Sequence, residues 1–464
     1  MARAYQAVVV GGGPGGYVAG IRLGQLGVKA AVIEKARVGG VCLNWGCIPS
    51  KALIHVAKTY TSLGHGEAFG LSAKDVKLDI SKTRAWKDGI VAKLTGGVAQ
   101  LLRAAGTEII EGEADFAGPG VLTVKTAQDV EEVRYEQCII AAGARPIEIP
   151  GFAFDGKTVW SAKQAVDLPE IPKRLVVIGG GIIGLELGTV YAKLGTAVTV
   201  VEMTDGILPG VDPELIRVVS RKLKKLGVEV LTGAKAKGFD GKAVTVESAR
   251  GEQQIPAERV LVAVGFRPNS DRLSLAKIGV QTGKGGAIPV DERMQTNVPG
   301  VYAVGDITGA PYLAHRAFKQ GEVAAEVIAG RPAAYDVLAM PSAIFTDPEI
   351  ASTGMTEAEA KAAGHEVKVG KFMLAANGRA LGTGETDGFV KAVVDAESGT
   401  LLGLQAVGVN ASEIISEGTL GIEMGAVALD LGLTVHPHPS ISEAVQEAVL
   451  AAIGEAIHAI NRKA

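Results

Sequence analysis

The feature that most constrains this chain is a glycine-rich unit that occurs twice. GGGPGG at 11–16 and GGGIIG at 179–184 each follow an apolar run, and each is followed by a helical pattern and a second apolar run. That second run ends in an acid, Glu34 or Glu202, 23 residues after the first glycine. In such a unit the glycine turn and the helix N-terminus hold a pyrophosphate, and the acid holds a ribose hydroxyl. One GxGxxG is weak evidence, but two copies with equal spacing predict two bound dinucleotides.

Length and composition place the chain among ordinary globular proteins. Its 464 residues correspond to roughly two to four domains. A net charge of −3 without a Lys- or Arg-rich run makes nucleic acid an unexpected partner. The apolar stretches are too short for a membrane span. Three cysteines and an N-terminus unlike a signal peptide predict a reducing, cytoplasmic compartment.

A shorter GxRP motif also occurs twice, within 139–146 and 261–268. Each copy predicts a buried strand that ends in a turn at the far edge of its own nucleotide domain. A further apolar strand, 300–304, ends in Gly305 and Asp306. An acid at the C-terminal end of a strand points toward the crevice where such sheets bind ligands. Asp306 is therefore a candidate binding residue, although a helix N-cap or a turn residue would look the same.

The residues after the second acid indicate which dinucleotide binds there. Glu202 is followed by Met203, Thr204, Asp205 and Gly206, without an Arg or Lys. A 2′-phosphate would need a cation here, and Glu202 would repel it. The second unit therefore predicts NAD rather than NADP.

A pair of cysteines five residues apart, Cys42 and Cys47, follows the first unit. In a regular helix residues at this spacing rise about 7.5 Å and point about 140° apart, too far for a disulfide. Pairing thus requires a distorted backbone, for which Gly46 and Pro49 are suited, and such a pair could be reducible. Two inert thiols or half of a metal site remain alternatives, while Cys138 has the setting of a core strand.

Near the C-terminus, His438 lies between two prolines just before a helical pattern. Fixed backbone on both sides suits a positioned general base. His436 is expected to support the turn. Ser440 and Glu443 also match a capping box, so Glu443 could serve only to start the helix.

Taken together, these motifs cover essentially the whole chain and resemble the flavin-dependent pyridine nucleotide–disulfide oxidoreductases. The resemblance rests on GGGPGG, on GGxCLNxGCIPSK, on the second glycine unit, on Gly305-Asp306 and on HxHPxxxE. Within the family the chain is most similar to the NAD-dependent members that oxidise dihydrolipoyl groups. Trp45 departs from the pattern, because the family usually has a small aliphatic residue there. Val41 and Pro437 replace a common Thr and Ala.

The resemblance implies an α/β fold with two Rossmann-like dinucleotide-binding domains and a C-terminal α+β dimerisation domain. The implied domains are an FAD-binding domain with the redox disulfide at 1–147, an NAD-binding domain at 148–270, a central domain completing the FAD site at 271–341, and a dimerisation domain at 342–464.

It also implies the cofactor-binding residues. Those for FAD are Gly11, Gly13, Pro14, Gly15, Gly16, Glu34, Lys35, Gly40, Val41, Cys42, Lys51, Ala114, Ala142, Gly143, Asp306, Leu313, Ala314 and His315. Those for NAD are Gly179, Gly181, Ile182, Ile183, Gly184, Glu186, Glu202, Ala236 and Gly265.

The implied catalytic residues are Cys42, Cys47, Lys51, Glu186, His438 and Glu443. A dihydrolipoyl thiol would lose a proton to His438, which Glu443 orients, and would attack a Cys42–Cys47 disulfide. Lys51 would pair with Glu186. The alternative for Lys51 is a solvated charge, and the alternative for Glu186 is an ordinary acid on the surface of a helix. No metal is expected.

The implied assembly is a homodimer whose active sites are shared across the interface. Its partners would be the lipoyl domains and the acyltransferase core of 2-oxo acid dehydrogenase complexes. A glutathione-type NADPH reductase is disfavoured by Glu202 and by Ile182, where such reductases carry a Tyr. A mercuric-ion reductase would be expected to end in a cysteine pair. A flavoprotein that serves mainly as a docking subunit is a further alternative.

Overall fold

The structure, a computed structural model, describes residues 3–64 and 66–461. The chain forms two compact units, each made of two stretches of sequence. The first contains 1–171 and 261–336, and the second contains 172–260 and 337–464. The predicted domain boundaries at 147, 270 and 341 stay predictions.

The first unit begins with a long alternation of strands and helices. In chain order these are β1 (Arg3–Val10), α1 (Pro14–Gln25), β2 (Ala30–Glu34), α2 (Gly40–Trp45), α3 (Cys47–Gly64), α4 (Ile80–Ala104), β3 (Glu108–Glu111), β4 (Glu113–Gly118), β5 (Val121–Lys125), β6 (Val130–Ile140), β7 (Ala144–Pro146), β8 (Val159–Trp160) and α5 (Ala162–Asp167).

The middle of the chain forms the nucleotide-type half of the second unit and then returns to the first. Its elements are β9 (Arg174–Ile178), α6 (Ile182–Lys193), β10 (Ala197–Val201), α7 (Pro213–Lys225), β11 (Glu229–Leu231), β12 (Lys235–Phe239), β13 (Ala243–Ser248), β14 (Gly251–Pro256), β15 (Arg259–Val262) at the crossing, β16 (Phe266–Pro268), β17 (Val301–Ala303) and α8 (Ala314–Ile328).

The remainder belongs to the second unit. Its elements are β18 (Ser342–Ile344), β19 (Glu349–Gly354), α9 (Glu357–Ala362), β20 (Val367–Met373), α10 (Gly378–Thr383), β21 (Phe389–Asp395), β22 (Leu401–Gly408), α11 (Ala411–Glu423), α12 (Ala428–Leu433) and α13 (Glu443–Ile453). Short 3₁₀ turns lie at Gly66–Phe69, Asn269–Arg272, Leu275–Ile278, Lys284–Gly286, Gly305–Thr308 and Leu374–Ala376.

The sheet of the first unit has the strand order β3-β2-β1-β6-β5-β4, with β17 also paired to β6. Strand β1 is parallel to β2 and β6, so that Val8 lies opposite Ala31 and Cys138. The apolar run of β1 is buried throughout its second half, as expected for a parallel strand covered on both faces. Cys138 is fully buried in this core, as the sequence predicted.

The second unit repeats the dinucleotide arrangement and adds a different sheet. Strands β9, β10 and β11 pair in parallel, and β12-β13-β14 form an antiparallel meander. The C-terminal residues form an antiparallel sheet, β18-β19-β22-β21-β20, whose core includes α11 and α13. The predicted fold class is confirmed. Among the described residues, no helix combines the length and apolarity needed to cross a bilayer.

As predicted, each GxRP motif follows a buried strand, β6 or β15, while the residues of the two motifs pair with each other. Strands β7 and β16 pair antiparallel within the first unit, with Arg145 opposite Arg267. Each follows a glycine with positive φ, Gly143 or Gly265, which turns the chain out of its buried strand. The Arg145 guanidinium then forms two hydrogen bonds of 2.7 Å with the Asp271 carboxylate, which anchors the pair.

Candidate active site

The two cysteines of the first unit lie on either side of a helix break. Helix α2 ends at Trp45, Gly46 has a non-helical backbone (φ −126°, ψ −113°), and Cys47 opens α3. Both cysteines are thiols, Cys42 partly exposed and Cys47 exposed, and a hydrogen bond joins their side chains. The backbone distortion predicted from their spacing is therefore confirmed.

Glycine at position 46 is what allows the cysteines to approach. A Cβ atom at Gly46 would lie 2.9 Å from the Val41 carbonyl oxygen and 3.3 Å from the Cα of Cys42. Real side chains essentially never come that close to a backbone oxygen. Any other residue would push Cys47 away from Cys42.

Asn44, which the sequence analysis did not single out, secures the loop before α2. Its amide nitrogen donates to the carbonyls of Arg37, Val38 and Gly40 at 3.2, 3.2 and 3.0 Å. The Gly39 N–H donates to the Gly12 carbonyl at 2.7 Å. These bonds tie the cysteine helix directly to the first glycine turn. In the sequence, the sign of this role was an amide residue lying between the two cysteines.

The charge state of the pair is asymmetric. The hydrogen bond to Cys47 raises the pKa of the Cys42 thiol, burial and the charge of an ionised Cys47 raise it further, and the Lys51 ammonium opposes them. Cys42 therefore keeps its proton at neutral pH in the dithiol form. Tyr17 lies close enough to interact electrostatically with both sulfurs. Burial raises the pKa of its phenol to about 12, with smaller contributions from Cys42 and Cys47. Sequence reasoning missed Tyr17, which is one turn into an unremarkable helix.

The first glycine turn positions Glu34 as the repeat predicted. The Gly12 N–H donates to Glu34 Oε2 at 2.8 Å, and the Ala36 N–H donates to Oε1 at 2.9 Å. Gly13 begins α1 without a side-chain cap, and a Cβ there would meet only Gly40 Cα, at 3.8 Å. The helix start is thus an open cradle of the kind that fits a pyrophosphate.

The second turn reproduces this geometry. The Gly180 N–H donates to Glu202 Oε2 at 2.7 Å, and Thr204 donates its N–H and hydroxyl to Oε1, both at 2.8 Å. Gly181 begins α6 without a side-chain cap, and a Cβ there would meet nothing within 4 Å. The two sequence repeats are therefore repeats at the atomic level.

Asp306 lies in the 3₁₀ turn that follows β17. Burial raises the pKa of its carboxyl to about 6, and Arg316 offsets only part of this effect. The carboxylate does not cap α8, which starts at Ala314, so the N-cap alternative is excluded. A Cβ at Gly15 of α1 would lie 2.9 Å from Val304. This close packing brings the Asp306 turn next to the first glycine turn.

The remaining residues predicted for FAD lie in the first unit. Ala114 is buried in β4, and the Gly112 N–H before it donates to the Glu34 carbonyl at 3.0 Å. Asn269 fixes the backbone after β6, with its amide donating to the Ala142 carbonyl at 2.8 Å. Lys35 forms an exposed ion pair with Glu113 at 3.0 Å. Leu313, Ala314 and His315 form the start of α8.

In the second unit, His438 and Glu443 form the predicted pair. His438 Nδ1 lies 2.8 Å from Glu443 Oε1, and the side chain of His438 is 78% exposed. The Ser440 N–H donates to Glu443 Oε2 at 2.8 Å. Burial would raise the pKa of the Glu443 carboxyl, but the bonds from Ser440 and His438 lower it, so the acid stays ionised beside the imidazole.

The capping-box alternative is half right. Glu443 accepts the Ser440 N–H, but α13 starts after Ser442 and has no side-chain cap, and the Ser440 hydroxyl bonds to that of Ser442. One carboxylate thus holds the turn and orients the imidazole. His436 supports the turn as expected, through Thr434 O and Glu417, both at 2.8 Å.

The other residues predicted for NAD or catalysis are divided between the units. Glu186 is 3% exposed and accepts the Phe345 N–H at 2.8 Å, so the surface-acid alternative is wrong. Ala236 lies in β12 of the second unit, whereas Gly265 belongs to the first. The pairing of Lys51 with Glu186 stays a prediction.

The chain matches two family models. Residues 5–321 match the pyridine nucleotide-disulphide oxidoreductase model, and residues 340–449 match the dimerisation domain of the same family. The dihydrolipoyl dehydrogenase of Halobacterium salinarum is 48% identical over 98% of this chain and 97% of its own length. That of Geobacillus stearothermophilus is 47% identical over 98% of both.

Comparison with solved structures also finds similar proteins. LpdA from Mycobacterium tuberculosis has a TM-score of 0.89 at 27% identity, covering 96% of this chain and 99% of that one. The HOCl-induced flavoprotein disulfide reductase RclA from Escherichia coli has a TM-score of 0.85 at 26% identity, with coverage of 96% and 99%.

Proposed function

The chain belongs to the pyridine nucleotide–disulphide oxidoreductase family, and we propose that it oxidises protein-bound dihydrolipoyl groups to lipoyl groups with NAD⁺ as acceptor. The observation that carries the proposal is the pair of thiols in hydrogen-bond contact across the break at Gly46. The relatives named dihydrolipoyl dehydrogenase support this substrate.

The two glycine turns are the proposed binding sites for the two cofactors of this family. FAD fits the first turn, where Glu34 would hold its adenosine ribose and Asp306 and the start of α8 would complete the site. NAD fits the second turn, where no side chain caps the start of α6 at Gly181 and where Glu202 is available for a ribose hydroxyl. The segment after Glu202 has no cation for a 2′-phosphate, which favours NAD over NADP.

In the proposed reaction the substrate reduces a Cys42–Cys47 disulfide. His438 takes the proton of one dihydrolipoyl thiol, and the resulting thiolate attacks Cys42. A mixed disulfide forms, the Cys42–Cys47 bond breaks, and Cys47 leaves as a thiolate. The second substrate thiol attacks the substrate sulfur of the mixed disulfide, its proton passes to the departing Cys42 sulfur, and the cyclic lipoyl product is released.

FAD held at the first glycine turn would supply the two-electron chemistry that links the cysteine pair to NAD⁺ at the second turn. The residues of the chain control the protons. Cys42 holds a proton in the dithiol form because its thiol pKa is raised by Cys47 and by burial. Glu443 fixes the tautomer of His438.

The assembly proposed is a homodimer in which His438 of one protomer serves the cysteines of the other. The dimerisation domain at 340–449 supports the dimer. We further propose, from the named relatives, that the enzyme serves lipoyl domains and the acyltransferase core of 2-oxo acid dehydrogenase complexes in the cytoplasm.

The test is dihydrolipoamide oxidation by a Cys47→Ser variant. Dithiol-driven NADH formation should be abolished, and the long-wavelength thiolate-to-flavin band seen when wild-type protein is titrated with dihydrolipoamide should be missing. A Cys138→Ala variant, which removes a core thiol, should keep both. Full activity in Cys47→Ser would overturn the mechanism, and faster turnover with NADP⁺ than with NAD⁺ would overturn the coenzyme. Bound FAD without dithiol oxidation in wild type would instead favour a docking subunit.

A further inference from the structure

A small cavity lies within the second unit, between α7 and the edge of the C-terminal sheet. Its volume is about 180 Å³. Three cations line it: Arg217 and Arg221 from α7, and Lys371 from β20. None of the three has a role in the proposed reaction.

The charges around this cavity do not balance. Glu214 is the acid that lines it, and it already receives hydrogen bonds from Lys371 and Lys391. Burial would raise the pKa of Glu214, but the two lysines lower it to about 2, so it is fully ionised at neutral pH. Lys391 is also paired with Asp212 at 2.7 Å and lies 3.7 Å from Glu357. The Glu214 charge is therefore left mainly to Lys371 and to Arg217, whose guanidinium lies 3.6 Å away.

Arg221 has no acidic partner among the residues that the structure describes. It is exposed and lies one helical turn beyond Arg217. Side chains four residues apart on a helix are neighbours, about 5–6 Å apart at Cβ. Two guanidinium groups at this spacing can hold one carboxylate or phosphate between them.

The rest of the cavity wall is apolar. Val218 and Phe389 are each 5% exposed, and Met373 is 48% exposed. The Lys371 ammonium lies 4.6 Å from the centre of the Phe389 ring, so a cation and an apolar surface meet at one point. A wall of this kind contacts the carbon atoms of a ligand whose acid group faces the arginines.

We propose that this cavity is a binding site for a small organic anion, a carboxylate or phosphate attached to a compact apolar group. Its volume is below the usual range of ligand pockets, roughly 300–1,000 Å³, so the occupant is a small free molecule rather than a dinucleotide. The acid group binds between Arg217 and Arg221. The apolar group contacts Val218, Met373 and Phe389.

The test is calorimetric titration of the FAD-loaded dimer with benzoate and with phenyl phosphate. Both should bind saturably, and both should bind more tightly than acetate and inorganic phosphate. Arg221→Gln should weaken both probes at least about 10-fold, because one charge-assisted bidentate contact is lost. Lys224→Gln is the matched control: it removes the same charge from an exposed position of α7 outside the cavity lining, and should change affinity less than about twofold.

Three results would overturn the proposal. They are no saturable binding by the wild type, equal losses in the Arg221 and Lys224 variants, and inorganic phosphate binding as tightly as phenyl phosphate. Circular dichroism of each variant shows whether it is folded. Binding is measured without turnover, so the outcome is independent of the proposed reaction.

Discussion

Replacing Asp306 by Asn should stabilise the apoprotein while weakening its hold on FAD. Folding raises the pKa of this carboxyl from 3.8 to about 6, chiefly by burial. The ionised form is therefore disfavoured in the folded state. A shift of about 2 units corresponds to about 3 kcal/mol, which is the free energy of unfolding that the ionised carboxylate removes at pH 7.

The effect of Asp306 on the free energy of unfolding depends on pH. Above about pH 6 the folded protein carries the disfavoured charge, and the full penalty is present. Below 3.8 the carboxyl is protonated in both folded and unfolded states, and the penalty vanishes. Asp306→Asn should therefore raise the free energy of unfolding by up to about 3 kcal/mol at pH 7 and by only about 0.6 kcal/mol at pH 4. Arg316 is not left unpaired, because it donates to the carbonyls of Gly309 and Pro311 and to Thr308.

The assay is urea denaturation of the FAD-free protein at both pH values, followed by a flavin-binding titration. FAD affinity should fall about 10-fold or more, as expected when a charged hydrogen-bond acceptor is neutralised. Asp115→Asn is the control with opposite sign: burial would raise the pKa of Asp115, but its hydrogen bonds from Ser274 lower it, so this variant should be destabilised at pH 7. An Asp306→Asn apoprotein that is less stable than wild type at pH 7 would refute the reasoning.

Three further outcomes are expected. Gly46→Ala should slow re-formation of the cysteine disulfide at least about 10-fold, because its Cβ would lie 3.3 Å from Cys42 Cα; thiol titration after reduction measures this, and wild-type kinetics would contradict it. Glu443→Gln should lower kcat/KM for dihydrolipoamide about 100-fold with FAD still bound, because His438 loses its orienting charge; a change in KM alone would argue against that role. Lys391→Met should lower the free energy of unfolding by about 3 kcal/mol or more at pH 7, because a 4%-exposed ammonium pairs with three acids, Asp212, Glu214 and Glu357. The pKa of one of these acids, Glu214, is lowered from 4.5 to about 2. The part of the stability loss that comes from Glu214 should therefore shrink as the pH falls from 4.5 to about 2. A loss of the same size at pH 3 as at pH 7 would contradict the ion-pair explanation.

The sequence by itself determined the features whose physics is local. The glycine turns, the strands on either side and the acids Glu34 and Glu202 could be predicted, because turn conformation and strand patterning depend on a few neighbouring residues. Helix geometry predicted a break between Cys42 and Cys47 on the condition that the two sulfurs pair. The resemblance to a known family added the cofactors and the partners.

Only the tertiary structure decided which distant segments meet. It paired the two GxRP strands with each other, because a turn at each glycine released them from their sheets. It raised the pKa of Asp306, since burial depends on what packs over a turn. It placed Arg221 beside Phe389 across more than 160 residues of sequence. No periodicity in the chain specifies such contacts, because they depend on where the backbone returns after each connection.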